Sequence, residues 1–356
     1  MLINQWLAAA HTNDAIGDHA RRLQALLRSL GHESELYALT IDEDLRGLVR
    51  PFDDPDARRG DITLFHYALP SVMTGAIADL PGSRVLHYHN ITPAHYFAPY
   101  NAGQFRLSRV GREHLASLAG GVDLALGVSE YNRRELEALG FRETGVMPIA
   151  IDTARITRAP RRPALERVFD DPLPNFLFVG RIAPNKRIDD YVRLAEQYKR
   201  YVSLDYRFVF VGRYDAVPGY YAAVRAMIVQ YDMPPDRFVF TGPVPDEELA
   251  AYYRMADVYV SLSEHEGFCV PLLEAMAADV PVLAYAAAAI PDTLDGAGVL
   301  FWPRDLEYAA ELLGVLTYDQ EVRRQVIDGQ RKRVRDFGDE RIARDLQDMI
   351  DRVRHS

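Results

Sequence analysis

Two acids, Glu266 and Glu274, stand with seven residues between them in the segment Ser263-Glu-His-Glu-Gly-Phe-Cys-Val-Pro-Leu-Leu-Glu-Ala-Met276. The run reads as a strand end, a glycine turn and the start of a helix. Gly267 lets the backbone turn tightly, and the amides from Phe268 through Cys269 and Val270 to Leu272 then lie at or near a helix N-terminus. Free N–H groups there, with the positive end of the helix dipole, suit a diphosphate. Glu266 on the loop can accept hydrogen bonds from sugar hydroxyls, and Glu274, about two turns later, from a ribose. Earlier in the chain Arg181 and Lys186 follow a β-rich run, Asn175–Val179. Fixed cations of this kind stabilise the charge that builds on a leaving diphosphate, and two of them can take the place of a metal ion. A third group lies in Arg84-Val-Leu-His-Tyr-His-Asn-Ile-Thr-Pro93, where His89 and Asn90 close a strand.

These residues must be held by strands and helices in alternation. Leu23, Leu26, Leu27 and Leu30 repeat at helical spacing over Ala15–Leu30, and Gly31 marks the stop. Strands are expected at Glu35–Leu39, Asp61–Phe65, Arg84–Tyr88 and Asp123–Val128, with helices at Ala102–Leu118 and Glu130–Leu139. Residues Ala159–Pro174 contain four prolines and read as a linker. A second βα series then runs from Asn175: helix Ile188–Tyr201, strand Arg207–Val211, helix Tyr220–Tyr231, strand Phe238–Phe240 and helix Asp246–Met255. Strand Val258–Ser261, helix Pro271–Ala278 and strand Val280–Ala284 follow, and the tail from Asp305 is largely helical. The expected class is α/β, with two Rossmann-like domains of mostly parallel sheet. The first spans 1–158, the linker 159–174 and the second domain 175–335. A C-terminal helix over 336–356 returns to the first domain. A cleft between the domains is the expected site.

Length and composition agree with two globular domains: 356 residues, 48% hydrophobic and 26% charged. A net charge of −10 argues against a general nucleic-acid binder. The single cysteine, Cys269, excludes an internal disulfide and a cysteine-rich zinc site. The opening MLINQWLAAA lacks the pattern of a signal peptide, and the longest apolar run, Val280–Pro291, is far short of the roughly 20 residues that span a bilayer. Neither half carries a dinucleotide-type or phosphate-loop glycine motif after its first strand, which disfavours a dehydrogenase or an ATPase. A metal site on His87, His89 and His95 lacks a nearby carboxylate or cysteine, so no metal and no cofactor are expected.

The Glu266–Glu274 stretch resembles the Glu-x7-Glu motif of retaining glycosyltransferases of the GT-B fold, family 4. Phe178-Val-Gly-Arg181 with Asn185-Lys186 looks like that family's basic segment, Phe240-Thr-Gly-Pro-Val244 like its nucleobase turn, and Pro281-Val-Leu like the strand after the motif helix. The resemblance implies Arg181, Lys186, His89 and Glu266 at the reaction centre. It implies that Gly17, Gly180, Gly212, Val244, Gly267, Phe268, Cys269, Val270, Leu272 and Glu274 contact the donor, and it puts His89 beside the donor sugar. Asn90 and Tyr96 are read as facing the acceptor. The loop Asn13–Gly17 precedes the first long helix, so its amides face an anion or sugar, or Asn13 or Asp14 simply caps the helix. Family members often carry paired glycines in that loop, and here Gly17 is followed by Asp18.

The resemblance further implies retention of anomeric configuration, by same-face substitution in which the departing phosphate oxygen takes the acceptor's proton. The expected partners are a nucleotide diphosphate sugar, GDP-mannose before a UDP-hexose, and a glycan or lipid-linked acceptor of bacterial polysaccharide assembly. The expected location is the cytoplasm. Arg21, Arg22, Arg158, Arg161 and Arg162 either meet anionic lipid at the inner membrane face or, the ordinary outcome, are solvated surface charges. A sugar-nucleotide epimerase and a non-catalytic binder on the same scaffold remain as alternatives.

Overall fold

The computed structural model describes residues 1–12 and 14–354. The chain forms two compact units. One comprises 1–95, 103–151 and 336–356; the other comprises 96–102 and 152–335. The residues read as a linker belong to the second unit, and within them Pro163–Val168 is a short helix, with proline at its first position where no N–H is needed.

The first unit is built on a seven-stranded sheet in the order β3-β2-β1-β4-β5-β6-β7. Its strands are β1 (Leu2–Ala10), β2 (Glu33–Ile41), β3 (Arg50–Pro51), β4 (Ile62–Tyr67), β5 (Ser83–Tyr88), β6 (Leu124–Gly127) and β7 (Thr144–Val146). Every pairing is parallel. Parallel strands are joined by crossovers, so both faces are covered and the strands read as continuous apolar runs; Ile62–Tyr67 is buried at all six positions. Helix Ala15–Ser29 turns Leu23 and Leu27 onto one face, and helix Asp339–Arg354 adds Ile342, Leu346, Met349 and Ile350. All of these are fully buried in one cluster with Ile3, Ile62, Leu64 and Val85. Each such side chain contributes roughly 1.5–3 kcal/mol by leaving water.

The second unit repeats the plan with six parallel strands in the order β10-β9-β8-β11-β12-β13. They are β8 (Asn175–Val179), β9 (Arg207–Val211), β10 (Phe238–Gly242), β11 (Val258–Ser261), β12 (Val282–Tyr285) and β13 (Val299–Phe301). Phe176, Phe208, Phe210, Phe238 and Tyr191 pack ring against ring across β8–β10 and the helix Ile188–Tyr201. In each sheet the order reverses once, between β1 and β4 and between β8 and β11. Crossovers leave a reversal point toward opposite faces, which opens a crevice beyond the C-terminal ends of the two central strands. No helix among the described residues is long and apolar enough to cross a membrane.

Candidate active site

In the second unit the reversal point lies between the loops after β8 and β11. Those loops carry Arg181 to Lys186 and Glu264 to Gly267. Strands β8 and β9 end close together. A Cβ added to Gly212 would lie 2.3 Å from the carbonyl oxygen of Gly180, and both glycines have left-handed φ, 135° and 152°. No L side chain fits there, so the strand ends pinch and Arg181 emerges directly beyond them. Arg181 is exposed and forms no ion pair among the described residues.

Asn185 stitches the two loops together. Its Nδ2 donates to the backbone carbonyl of His265 at 3.0 Å, and its backbone carbonyl accepts from the amide of Glu264 at 2.9 Å. This buried side chain sets the register that brings Lys186 Nζ to Glu266 Oε1 at 2.5 Å. Both partners are mostly buried, with 17% and 10% of their side chains exposed. The sequence-identified cation and acid therefore form a paired unit. Beside them Arg187 joins Asp189, Asp190 and Glu264, while Arg304 joins Asp190 and Glu264 and lies 3.9 Å over the ring of Tyr285. This network anchors the loops and holds Tyr96, whose hydroxyl is pushed up to about 12 by burial and by Glu264.

The motif helix runs from Val270 to Ala277, and Cys269 stands before it with left-handed φ of 69°. Burial, then the nearby Glu266, pushes the Cys269 thiol well up, which keeps it a neutral thiol. Two positions of this segment offer no amide to a ligand. Pro271 has no N–H, and the amide of Leu272 donates to Cys269 at 3.0 Å. Of the amides named from sequence, that of Leu272 is thus engaged within the helix start, and the Leu272 side chain is fully buried. Phe268 is buried, and its carbonyl accepts from Thr293 at 2.6 Å.

Glu274 is 2% exposed and both of its oxygens are engaged. Arg155 pairs with Oε1, and the Tyr253 hydroxyl donates to Oε2 at 2.8 Å. Arg155 also reaches Asp246 at 3.0 Å. Neither Arg155 nor Tyr253 is legible along the chain as a partner of Glu274, because they lie 119 and 21 positions from it, outside the motif. Val244 sits in the turn after β10. That turn is walled by aromatics: Tyr214 stacks on Tyr221 with centroids 5.0 Å apart, and Tyr221 meets the edge of Phe240 at 5.2 Å. Tyr214 and Tyr221 were also unforeseen.

In the first unit the reversal point holds Gln5 on β1, His66 on β4, His87 and His89 at and after the end of β5, and His19 on the first long helix. One ligating nitrogen from each of His19, His66, His87 and His89 lies within 4.8 Å of the others. His95 is exposed and stands outside this cluster, so the triad His87, His89 and His95 weighed from sequence is not the group that assembles. His19, His66 and His87 are buried, and His89 keeps some exposed surface. Burial, first of all, holds all four well below the ordinary imidazole value, His87 at about 4. Asn90 follows with left-handed φ of 79°. At the loop before the first helix, Asp14 is the N-cap: its side chain accepts from the amide of Gly17 at 3.0 Å. That amide is thereby taken up, and Asp18 is paired with Arg21. Asn13 lies outside the described residues. A Cβ added to Gly17 would meet neighbours at ordinary distances of 3.5 Å, so the chain itself does not require glycine there.

Residues 166–333 match the family model described as Glycosyl transferases group 1. A GDP-mannose-dependent alpha-mannosyltransferase of Mycobacterium tuberculosis is 35% identical over 172 residues, 48% of this chain and 40% of that protein. The match thus spans less than half of that relative's length. A GDP-mannose-dependent alpha-(1-6)-phosphatidylinositol monomannoside mannosyltransferase of the same organism is 27% identical over 336 residues, 89% of this chain and 80% of that protein. Among solved structures, a sucrose-phosphate synthase from Thermosynechococcus elongatus superposes with a TM-score of 0.77 at 18% identity, covering 99% and 98% of the two chains. Anabaena HepE in complex with UDP and glucose gives 0.76 at 15% identity, covering 99% of each. Residues 166–333 therefore carry the glycosyl transferases group 1 segment, with mannosyltransferases among its homologues, in a chain with the two-sheet GT-B fold.

Proposed function

We propose that this chain is a retaining glycosyltransferase of family 4 that moves a hexose from a nucleotide diphosphate sugar to a glycan or lipid-linked acceptor. The observation that carries the reading is the Lys186–Glu266 pair at the β8/β11 reversal point, with Arg181 exposed at the end of β8. In transfer the bond from the anomeric carbon to the phosphate oxygen breaks and a bond to the acceptor oxygen forms on the same face. The departing phosphate oxygen takes the acceptor's proton. Arg181, Lys186 and the amides before Pro271 hold the charge that grows on the diphosphate, without a metal ion. Glu266 orients Lys186 and accepts from a sugar hydroxyl. Glu274 serves the ribose, and the Tyr214–Tyr221 wall offers a face on which a base can stack.

GDP-mannose is the favoured donor, because relatives over both shorter and longer spans are GDP-mannose-dependent mannosyltransferases. Polysaccharide assembly is the favoured setting; an O-antigen chain mannosyltransferase B of Escherichia coli is 26% identical over 189 residues. Thermal denaturation with GDP, UDP and their sugar conjugates tests the reading, since a ligand of the folded state raises the melting temperature. GDP and GDP-mannose should raise it more than UDP does. Formation of a new sugar nucleotide without acceptor would favour an epimerase, and binding with neither transfer nor hydrolysis would favour a silent binder.

A further inference from the structure

The four histidines of the first unit have only one arrangement of protons that satisfies their neighbours. The backbone amide of Ala150 donates to His19 Nδ1 at 2.9 Å. A neutral His19 must then carry its proton on Nε2, which faces His87 Nδ1 at 3.3 Å. His87 accepts there, and its own Nε2–H donates to the carbonyl of Met147 at 2.9 Å. On the other side, Gln5 gives its amide hydrogens to the carbonyl of Ala20 at 3.1 Å and to Ser34, so its Oε1 is the acceptor turned to His66 Nε2 at 2.9 Å. His66 therefore carries its proton on Nε2, and its Nδ1 accepts from His89 Nε2 at 2.9 Å. Four ring protons and three of four lone pairs are accounted for. The one left is His89 Nδ1, a buried atom with no hydrogen-bond partner among the described residues. Of the four residues His89 alone is part-buried where the others are buried, and it stands at the reversal point where ligands of such sheets bind.

We infer that Gln5 and His66 are positioning residues that lock His89 as its Nε2–H tautomer, so that Nδ1 is presented as an acceptor for a hydroxyl of the bound sugar. This rests on the glycosyltransferase reading above. It goes further in assigning the direction of the hydrogen bond and the two residues behind it. A buried acceptor without a donor is costly, and a donating hydroxyl removes that cost. A ligand presenting only an acceptor at that point is rejected for the same reason. The relay also distinguishes the cluster from a four-histidine metal centre, because the nitrogen of His19 that faces His87 holds a proton and has no lone pair to give.

Long-range proton–nitrogen correlation spectra of histidine-labelled full-length protein test the assignment, since protonated and bare ring nitrogens resonate far apart. His89 should show a protonated Nε2 and a bare Nδ1, and GDP-mannose should move the Nδ1 resonance. Gln5→Leu removes the acceptor behind His66. It should shift His89 toward the Nδ1–H form and raise the KM for donor about tenfold with little change in kcat. Gln5→Glu, which keeps an acceptor, should restore the wild-type tautomer. A protonated Nδ1 in the wild type, an unchanged tautomer in Gln5→Leu, or stoichiometric zinc binding that moves all four rings would overturn the inference. If the nucleotide sugar stabilises the protein yet leaves His89 Nδ1 unmoved, the relay's role fails alone. If no nucleotide sugar binds at all, the glycosyltransferase reading fails first.

Discussion

Acidification should destabilise the first unit through its buried histidine cluster. His87 is buried, accepts from His19 and donates to Met147, and burial lowers it from the ordinary 6.5 to about 4. A histidine whose folded value is depressed favours the folded state above its unfolded value, and that stability is lost as pH falls, because the unfolded chain takes up the proton first. From 6.5 unfolded and about 4 folded, the loss between pH 8 and pH 5 is about 2 kcal/mol for His87 alone. His19, His66 and His89 are shifted the same way and add to it. Urea denaturation followed by tyrosine and tryptophan fluorescence at both pH values measures the total. Trp6, fully buried in the same sheet, reports the first unit. His87→Gln should lower stability near pH 8 but make the fall toward pH 5 shallower by about 2 kcal/mol. Equal pH dependence in the variant and the wild type, or an imidazole titration placing His87 near 6.5, would refute the reasoning.

Lys186→Ala should lower kcat on the order of a hundredfold while changing donor affinity far less, because it removes charge stabilisation that matters most as the diphosphate departs. Steady-state turnover beside calorimetry decides this, and abolished binding would contradict it. Glu274→Gln should behave in the opposite way, weakening the donor more than turnover, since the charge that strengthens the Arg155 and ribose hydrogen bonds is gone. Donor affinity intact with turnover collapsed would count against the ribose assignment. Transfer should survive excess EDTA if Arg181 and Lys186 supply the charge; loss on chelation, restored by manganese or magnesium, would show otherwise.

Much of this protein was legible along the chain because its signals are local. Helix Ala15–Ser29 is expected as Ala15–Leu30 from leucine spacing, and Gly31 stops it with φ of 85°. Strands Asn175–Val179, Arg207–Val211 and Val258–Ser261 fall where β-rich runs predict them, because a strand buried on both faces needs uninterrupted apolar residues. The short strands β3, β7 and β13 are missed, since two or three residues carry too little pattern to distinguish them from loops. The Glu-x7-Glu segment, Arg181 and Lys186 could be singled out because glycine, proline and charge fall at fixed offsets within one strand-loop-helix unit.

What pairs with those residues was decided only when distant segments met. Arg155 reaches Glu274 across 119 positions, and Asn185 clamps the loop of His265 across 80. Side-chain hydrogen bonds of this range leave no periodicity in sequence. The histidines show the limit most plainly. His87 and His89 alternate along one strand, and that much is local. Their partners His19 and His66 arrive from a helix and a neighbouring strand, 68 positions from His87 and 23 from His89. Which nitrogen holds each proton depends on Ala150, Met147 and Gln5, groups that only the folded unit brings within 3 Å. Residue types set what chemistry the chain can offer; burial and direction, which follow from packing, set which lone pair is left to do it.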